Sequence, residues 1–309
     1  MISKSNIKIV FFGTPEYAVP VLNALVRDKY NVIDVITEPD KPSGRGRILT
    51  PPPLKIAAKK FGLNVLQFPT LKTEDLKFKI PDFDIGIVAA YGKIIPSKII
   101  AMPKYGILAI HPSLLPKYRG PSPVQTAILN GDTKTGVTII KIDEELDHGP
   151  TLGITNYELR IKENVKEATE SLFKLGAELL LEIIQGYIEG KLKPIPQDHT
   201  RATFTRKLTL ADGEIKPEDT AEKAYNKIRA LNPEPGTYFI MRDDKKLKII
   251  RARISSTPEK LKATGLVEQN KELVLSFDDG FIILESVQIE NKRIMSGKDF
   301  LNGYRHLLP

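Results

Sequence analysis

Short apolar runs alternate with amphipathic stretches through the first 190 residues. Ile7–Phe12 is a mostly apolar run ending at Gly13, the pattern of a strand buried on both faces. Residues 16–28 place Ala18, Val21, Leu22, Leu25 and Val26 on one side of a helix. The pattern predicts a strand at 31–37, a helix at 53–61, and strands at 63–67, 85–90 and 106–110. Strand and helix in turn predict an α/β domain with a doubly wound, Rossmann-like parallel sheet. Residues 164–188 repeat Val165, Leu172, Leu175, Leu179 and Ile183 at helical spacing, which predicts a packing helix closing this domain.

The pattern changes after residue 190. Lys191–Asp198 has no period and two prolines, which reads as the start of a linker spanning 191–207. Beyond it a helix is predicted at 219–230, then short strands at 238–241, 247–254, 273–277 and 281–287. Asp243-Asp244 and Asp278-Asp279-Gly280 supply turns. The expected organisation is a domain over 1–190 and a small C-terminal β-barrel of the OB type over 208–309.

Composition narrows the chemistry. The 309 residues include no cysteine, which excludes disulfides, thiolate metal sites and a cysteine nucleophile. No apolar run reaches the ~20 residues of a membrane span. The first residues lead into a strand without a signal-peptide core, so a cytoplasmic location and no membrane partner are expected. The net charge is +8, with an excess of four basic residues in each of 1–200 and 201–309. That balance suits a polyanionic partner such as nucleic acid. Gly13-Thr14-Pro15 is not a G-x-G-x-x-G turn and no phosphate-binding G-x-x-x-x-G-K-[ST] loop occurs, so the topology does not imply a dinucleotide.

One histidine stands out. His111 falls at the end of the strand predicted at 106–110, and the rigid, basic loop Pro112–Gly120 follows it. Pro112 and Pro116 bracket Ser113-Leu114-Leu115, so the loop is expected to present backbone groups and Ser113 to a flat polar ligand. Lys117 and Arg119 would add charge for an anionic substrate. Asp147, in Asp147-His148-Gly149-Pro150, brings a carboxylate to a later strand end. A titratable imidazole and a carboxylate at strand ends suit acid/base chemistry. His148 neighbours Asp147, whereas His199 and His306 read as surface residues, and no histidine cluster suggests a metal.

At these residues the chain resembles the folate-dependent formyltransferases. The resemblance lies in His111–Gly120, then Gly136-Val137-Thr138, then Asp147-x-Gly149. Phe12–Ala18, the insertion Glu38–Arg47, Val88–Pro96 and Arg229–Thr237 are similar to the branch of that family that acts on initiator methionyl-tRNA. The resemblance implies transfer of a formyl group from 10-formyltetrahydrofolate, a co-substrate, to the amino group of methionine on that tRNA, by a monomer without metal. It implies that His111 and Asp147 are catalytic. It implies a folate pocket of Ser113, Leu114, Leu115 and Pro116, walled by Tyr91, Ile94 and Ile95, with the backbone of 142–147 on the pterin edge. The family carries an asparagine two residues before the histidine, where this chain has Ala109. Loss of one oxyanion donor costs on the order of 100- to 1000-fold in turnover, so ligand binding with slowed transfer is expected. Lys41, Arg45 and Arg47 sit in a Gly- and Pro-rich stretch expected to form no regular element and to clamp the tRNA acceptor end. Lys193, Arg201, Arg206 and Lys207 are expected along the RNA backbone. Two other readings stay open: a sugar-nucleotide N-formyltransferase, and a non-catalytic folate- or RNA-binding homologue.

Overall fold

A computed structural model describes residues 2–44, 46–71, 80–255, 261 and 264–308. The chain divides into two compact units. One comprises Met1–Gly120, Lys134–Glu158 and Thr169–Phe204; the other comprises Pro121–Thr133, Leu159–Ala168 and Thr205–Pro309.

The first unit is built on a seven-stranded sheet. Its strands are β1 (Lys8–Gly13), β2 (Asn31–Thr37), β5 (Asn64–Gln67), β6 (Ile85–Ala89), β7 (Ile107–His111), β8 (Lys134–Lys141) and β9 (Thr151–Glu158); the intervening β3 (Lys41–Ser43) and β4 (Ile48–Thr50) form a separate hairpin. The sheet order is β5-β2-β1-β6-β7-β8-β9. From β5 to β7 every pair is parallel, and the apolar runs read from the sequence fill its interior. Phe11, Phe12, Ile9, Ile85 and Ile87 are all 0% exposed. β8 and β9 join antiparallel, a departure from the all-parallel expectation. β9 follows β8 through a loop alone, so no crossover helix marks its direction, whereas helix Pro123–Leu129 lies between β7 and β8. From Gly153 on, β9 alternates half-buried and exposed positions, as an edge strand does.

The chain runs from β1 out to β2 and β5, then returns to the opposite side of β1 as β6. The strand order therefore reverses between β1 and β6. Such a reversal opens a crevice beyond the carboxyl ends of the strands. The ends of β1, β6 and β7 at Gly13, Ala89 and His111 face this region.

Lys41–Ser43 and Ile48–Thr50 do form a regular element, against expectation: β3 and β4 pair antiparallel, with Lys41 opposite Thr50 and Ser43 opposite Ile48. Pro42 is tolerated because a two-stranded ribbon has only edge strands, and Ile48-Leu49-Thr50 carries strand propensity. Arg47 lies in the turn with φ 47°. Arg45 lies outside the described residues.

The second unit holds an open, curled sheet ordered β10 (Glu214–Ile215), β11 (Tyr238–Ile240), β12 (Lys246–Ile254), β15 (Gly280–Ile289), β14 (Glu272–Phe277), β13 (Gly265–Gln269), with β16 (Met295–Ser296) on β15. Two register shifts between β12 and β15 bend it. Helices Ala221–Leu231 and Gly297–Tyr304 pack on its concave core of Phe239, Leu247, Leu275, Phe277, Ile282 and Phe300. Thr220 caps the first helix by accepting from Lys223 N, and Ser296 with Asp299 forms a capping box on the second. Among the described residues no helix is long and apolar enough to cross a membrane.

Candidate active site

β7 ends in His111, which is 6% exposed. Alternation along the strand puts Ala109 and His111 on one face, with Ile110 on the other. Ala109 is half-buried beside Val88 of β6 and Ile140 of β8. A methyl group there offers no hydrogen bond toward the strand end.

The imidazole is held on both sides. His111 Nε2 is 3.0 Å from the carbonyl of Tyr118, so this nitrogen carries the proton and donates. His111 Nδ1 lies 3.5 Å from Asp147 Oδ2, and a proton on that nitrogen faces a carboxylate oxygen. Asp147 Oδ2 also accepts from the backbone N–H of Gly120 at 2.7 Å. Asp147 has φ 50° and Tyr118 has φ 64°, an unusual conformation for side-chain-bearing residues on both sides of the imidazole.

The loop after His111 is knotted to its neighbours. Thr138 of β8 donates its hydroxyl to Ser113 O at 2.7 Å and accepts from Leu115 N at 3.1 Å. Ser113 is fully buried and donates to Lys117 O at 2.6 Å, so its hydroxyl shapes the loop instead of facing a ligand. Leu115 is buried, while Leu114 and Pro116 remain half-exposed. Tyr118 N donates to Thr203 Oγ1 and Arg119 N to Thr203 O, both at 2.8 Å.

Arg119 is not available to an anionic substrate, contrary to expectation, being 4% exposed. Its Nη2 donates to Gln197 Oε1 and lies 2.8 Å from His199 Nδ1. Gln197 in turn donates Nε2 to the carbonyls of Asp147 at 2.9 Å and Gly149 at 2.7 Å. Lys117 stays exposed and lies over the Tyr118 ring. His148 Nδ1 sits 2.7 Å from Asp143 Oδ2, and its ring stacks on exposed His199 with centroids 4.0 Å apart. Gln197 and Thr203 went unnoticed in the sequence because the segment carrying them has no periodicity.

Of the suggested pocket wall, Tyr91 and Ile95 pack together against Phe12, Phe68 and Ile107, while Ile94 is 91% exposed. The Tyr91 hydroxyl is buried with no hydrogen-bond partner among the described residues. Burial, then the nearby Glu38 charge, pushes its pKa up to about 12, so it remains a donor at neutral pH. An orphaned buried hydroxyl beside the switch point is a fit for a polar planar ligand. Among the described residues no group of three or more His, Asp or Glu side chains could hold a metal ion.

The hairpin β3–β4 is anchored at its base. Lys55 donates to both oxygens of Asp40 at 2.7 and 2.8 Å and to Gln67 Oε1 at 2.7 Å. Gln67 Nε2 donates to Glu38 O at 2.7 Å. Lys41 pairs with Glu38, and Ile48 and Leu49 stand 72% and 63% exposed. In the second unit, Arg206 pairs with Asp212, which raises the guanidinium pKa and holds the carboxyl well below the usual range. Lys207 beside it is exposed.

Comparison with known proteins follows this geometry. The family described as "Formyl transferase" matches residues 7–184, and "Formyl transferase, C-terminal domain" matches 207–305. The methionyl-tRNA formyltransferase of Roseiflexus castenholzii is 41% identical over 304 residues, covering 97% of each chain. That of Chloroflexus aurantiacus is 41% identical over 303 residues, covering 96% of each. Among solved structures, an N-formyltransferase from Helicobacter canadensis, in complex with folinic acid and dTDP-3-aminofucose, superposes with a TM-score of 0.70 at 21% identity, covering 90% of this chain and 98% of that one. At that identity the likeness speaks to the fold alone.

Proposed function

Since the chain belongs to the methionyl-tRNA formyltransferases of the formyl transferase family, we propose that it moves the formyl group of 10-formyltetrahydrofolate onto the amino group of methionine on initiator methionyl-tRNA. The observation that carries the assignment of roles is the pair formed by buried His111 at the end of β7 and half-buried Asp147, 3.5 Å apart. The bound donor supplies an electrophilic formyl carbon. The methionine amine attacks that carbon, and as the new C–N bond forms the bond from the carbon to N10 of the folate breaks. With Nε2 committed to the Tyr118 carbonyl, His111 Nδ1 takes the proton the amine loses; Asp147 steadies the resulting imidazolium, which offsets the negative charge on the formyl oxygen and then passes its proton to the departing N10. Tyr91, Ile95, Leu114 and Pro116 hold the folate, and the buried Tyr91 hydroxyl donates to it. The hairpin β3–β4, with Lys41 and Arg47 and possessing exposed apolar tips, grips the acceptor end, and Arg206 and Lys207 contact its phosphates.

Ala109 slows this chain, because no side-chain donor reaches the formyl oxygen from that position. The test is formyl transfer to initiator methionyl-tRNA by the wild-type protein and by Ala109→Asn. The expected gain in kcat for the variant is about 100-fold. Equal rates overturn the assigned role of position 109. Transfer to a nucleotide-linked amino sugar in place of the tRNA redirects the acceptor assignment. Binding of both ligands with no transfer by either protein makes the chain a non-catalytic homologue.

A further inference from the structure

Asp147 is held in a left-handed backbone conformation, φ 50°, uncommon for non-glycine residues though aspartate reaches it more readily than most. The support comes from one side chain. Gln197 donates to the carbonyl of Asp147 at 2.9 Å and to that of Gly149 at 2.7 Å, so a single amide spans the turn. Gln197 is 8% exposed, and its amide cannot be oriented by water. Arg119 orients it: its Nη2 donates to Gln197 Oε1 at 2.8 Å, which commits Nε2 to the two carbonyls. The next residue, Gly120, donates its N–H to the Asp147 carboxylate at 2.7 Å. The Arg119-Gly120 pair and Gln197 thus grasp Asp147 by carboxylate and backbone together. The charged group itself is secured from the other side, with Arg119 Nη2 2.8 Å from His199 Nδ1.

We infer that Gln197 and Arg119 are positioning residues for formyl transfer, acting through Asp147 on His111. The inference rests on the reading of His111 and Asp147 as the reacting pair. Removing the Gln197 amide frees the turn, and Asp147 moves away from both Gly120 N–H and His111 Nδ1. Sub-ångström placement matters here, since a misplacement of about 1 Å costs on the order of 100-fold in rate.

The test uses the full chain with Gln197→Met, which keeps length and packing, and Gln197→Glu, which keeps the acceptor for Arg119 but loses the donor to the two carbonyls. In steady-state transfer to methionyl-tRNA, kcat falls about 10- to 100-fold in both variants while KM for donor and acceptor stays within about twofold. In an Asp147→Asn background the same substitutions cost nothing further, because the residue they position has already lost its charge. A purely structural role would cost the same factor in both backgrounds. A second reading needs no turnover: hydrogen exchange of the Gly120 amide, followed by NMR, speeds about 10-fold or more in either variant beyond the speeding of core-strand amides that reports any global loss of stability. Wild-type kcat, an equal loss in both backgrounds, or unchanged Gly120 exchange overturns the inference. If the wild-type protein transfers no formyl group to methionyl-tRNA, the functional reading fails by itself, and the Gly120 exchange still decides whether Gln197 holds the Asp147 turn.

Discussion

The phenol of Tyr91 lies edge-on to Phe12, ring centroids 5.9 Å apart, with its hydroxyl buried and unbonded. Leaving such a group unsatisfied costs about 1–3 kcal/mol. Tyr91→Phe should therefore raise the stability of the ligand-free protein by ~1 kcal/mol at neutral pH, read as a higher urea midpoint. If the hydroxyl donates to folate as proposed, the same variant should bind folate more weakly. The pH dependence has a definite sign. The pKa of Tyr91 rises to about 12 in the folded protein, as does that of Tyr30 through burial and then the charges of Asp28 and Glu189. The unfolded chain ionises these phenols near the ordinary value of 10, before the folded protein does. Their contribution is complete below pH 10 and is lost as pH rises through about 12. Urea melts across that interval should show wild type losing stability faster than Tyr91→Phe, and parallel curves sink the assignment. At this scale His111 and Asp147 drew attention through their motif settings; His111 does end β7, whereas Asp147 lies within the loop between β8 and β9 and not at a strand end. Arg119 was legible as a charge but not as a buried one, since nothing in the local sequence shows that Gln197 and His199 fold back onto it. The separation of 78 residues between Arg119 and Gln197 is why.

Helix Val165–Ile188 shows how an element positions the site. A Cβ built on its Gly176 would come within 2.6 Å of Ile110 Cγ2 and 3.1 Å of Val137 Cγ1. Helix propensity alone favours alanine over glycine by about 1 kcal/mol. Here the added methyl overlaps Ile110 and crowds Val137, two buried β-branched side chains stiff at χ1, and overpacking costs about 1–3 kcal/mol. Gly176→Ala should therefore lower stability by ~1 kcal/mol despite its better propensity. It should also lower kcat a few-fold, because Ile110 precedes His111 on the strand that is pushed. A thermal melt and a rate assay check both; a stabilised variant would mean the helix simply slides away. The hairpin β3–β4 makes a second case. Its Asp40–Lys55–Gln67 anchor fixes the base from which Lys41 and Arg47 project. Lys55→Met should raise KM for tRNA by roughly 3- to 10-fold while leaving KM for folate and kcat nearly unchanged, the pattern of lost uniform binding. A fall in kcat instead would place the hairpin in the chemistry. The core strands were readable because buried parallel strands are apolar runs. The hairpin was not, because its glycines and Pro42 argue for a loop and its pairing involves exposed edges only. β8 and β9 were missed as antiparallel for a similar reason: direction is set by loop length and neighbours, which apolar patterning does not encode.

At the scale of the whole molecule the question is how a polyanion is held. The net charge is +8. The chain crosses between its two units more than once, since Pro121–Thr133 and Leu159–Ala168 belong with the C-terminal residues. A sequence pattern read from one end to the other places a boundary near residue 190 and sees no such excursions. The excess charge is spread over both parts of the sequence, so no single patch announces an RNA site. Contacts to phosphates release counterions, and binding must then weaken with salt in proportion to their number. About four neutralised phosphates imply that the affinity for initiator methionyl-tRNA falls ~100-fold between about 50 and 200 mM salt. Individual residues separate within that slope. Lys207→Ala should reduce the slope by about one unit, since an exposed lysine contributes a full contact. Arg206→Ala should reduce it by less, because Asp212 already pairs with that guanidinium in the free protein and must be displaced before it can meet a phosphate. Fluorescence anisotropy with labelled tRNA across the salt range measures all three slopes. Equal slopes for the two variants would show that the Arg206–Asp212 pair opens freely, and a wild-type affinity independent of salt would remove the phosphate contacts altogether.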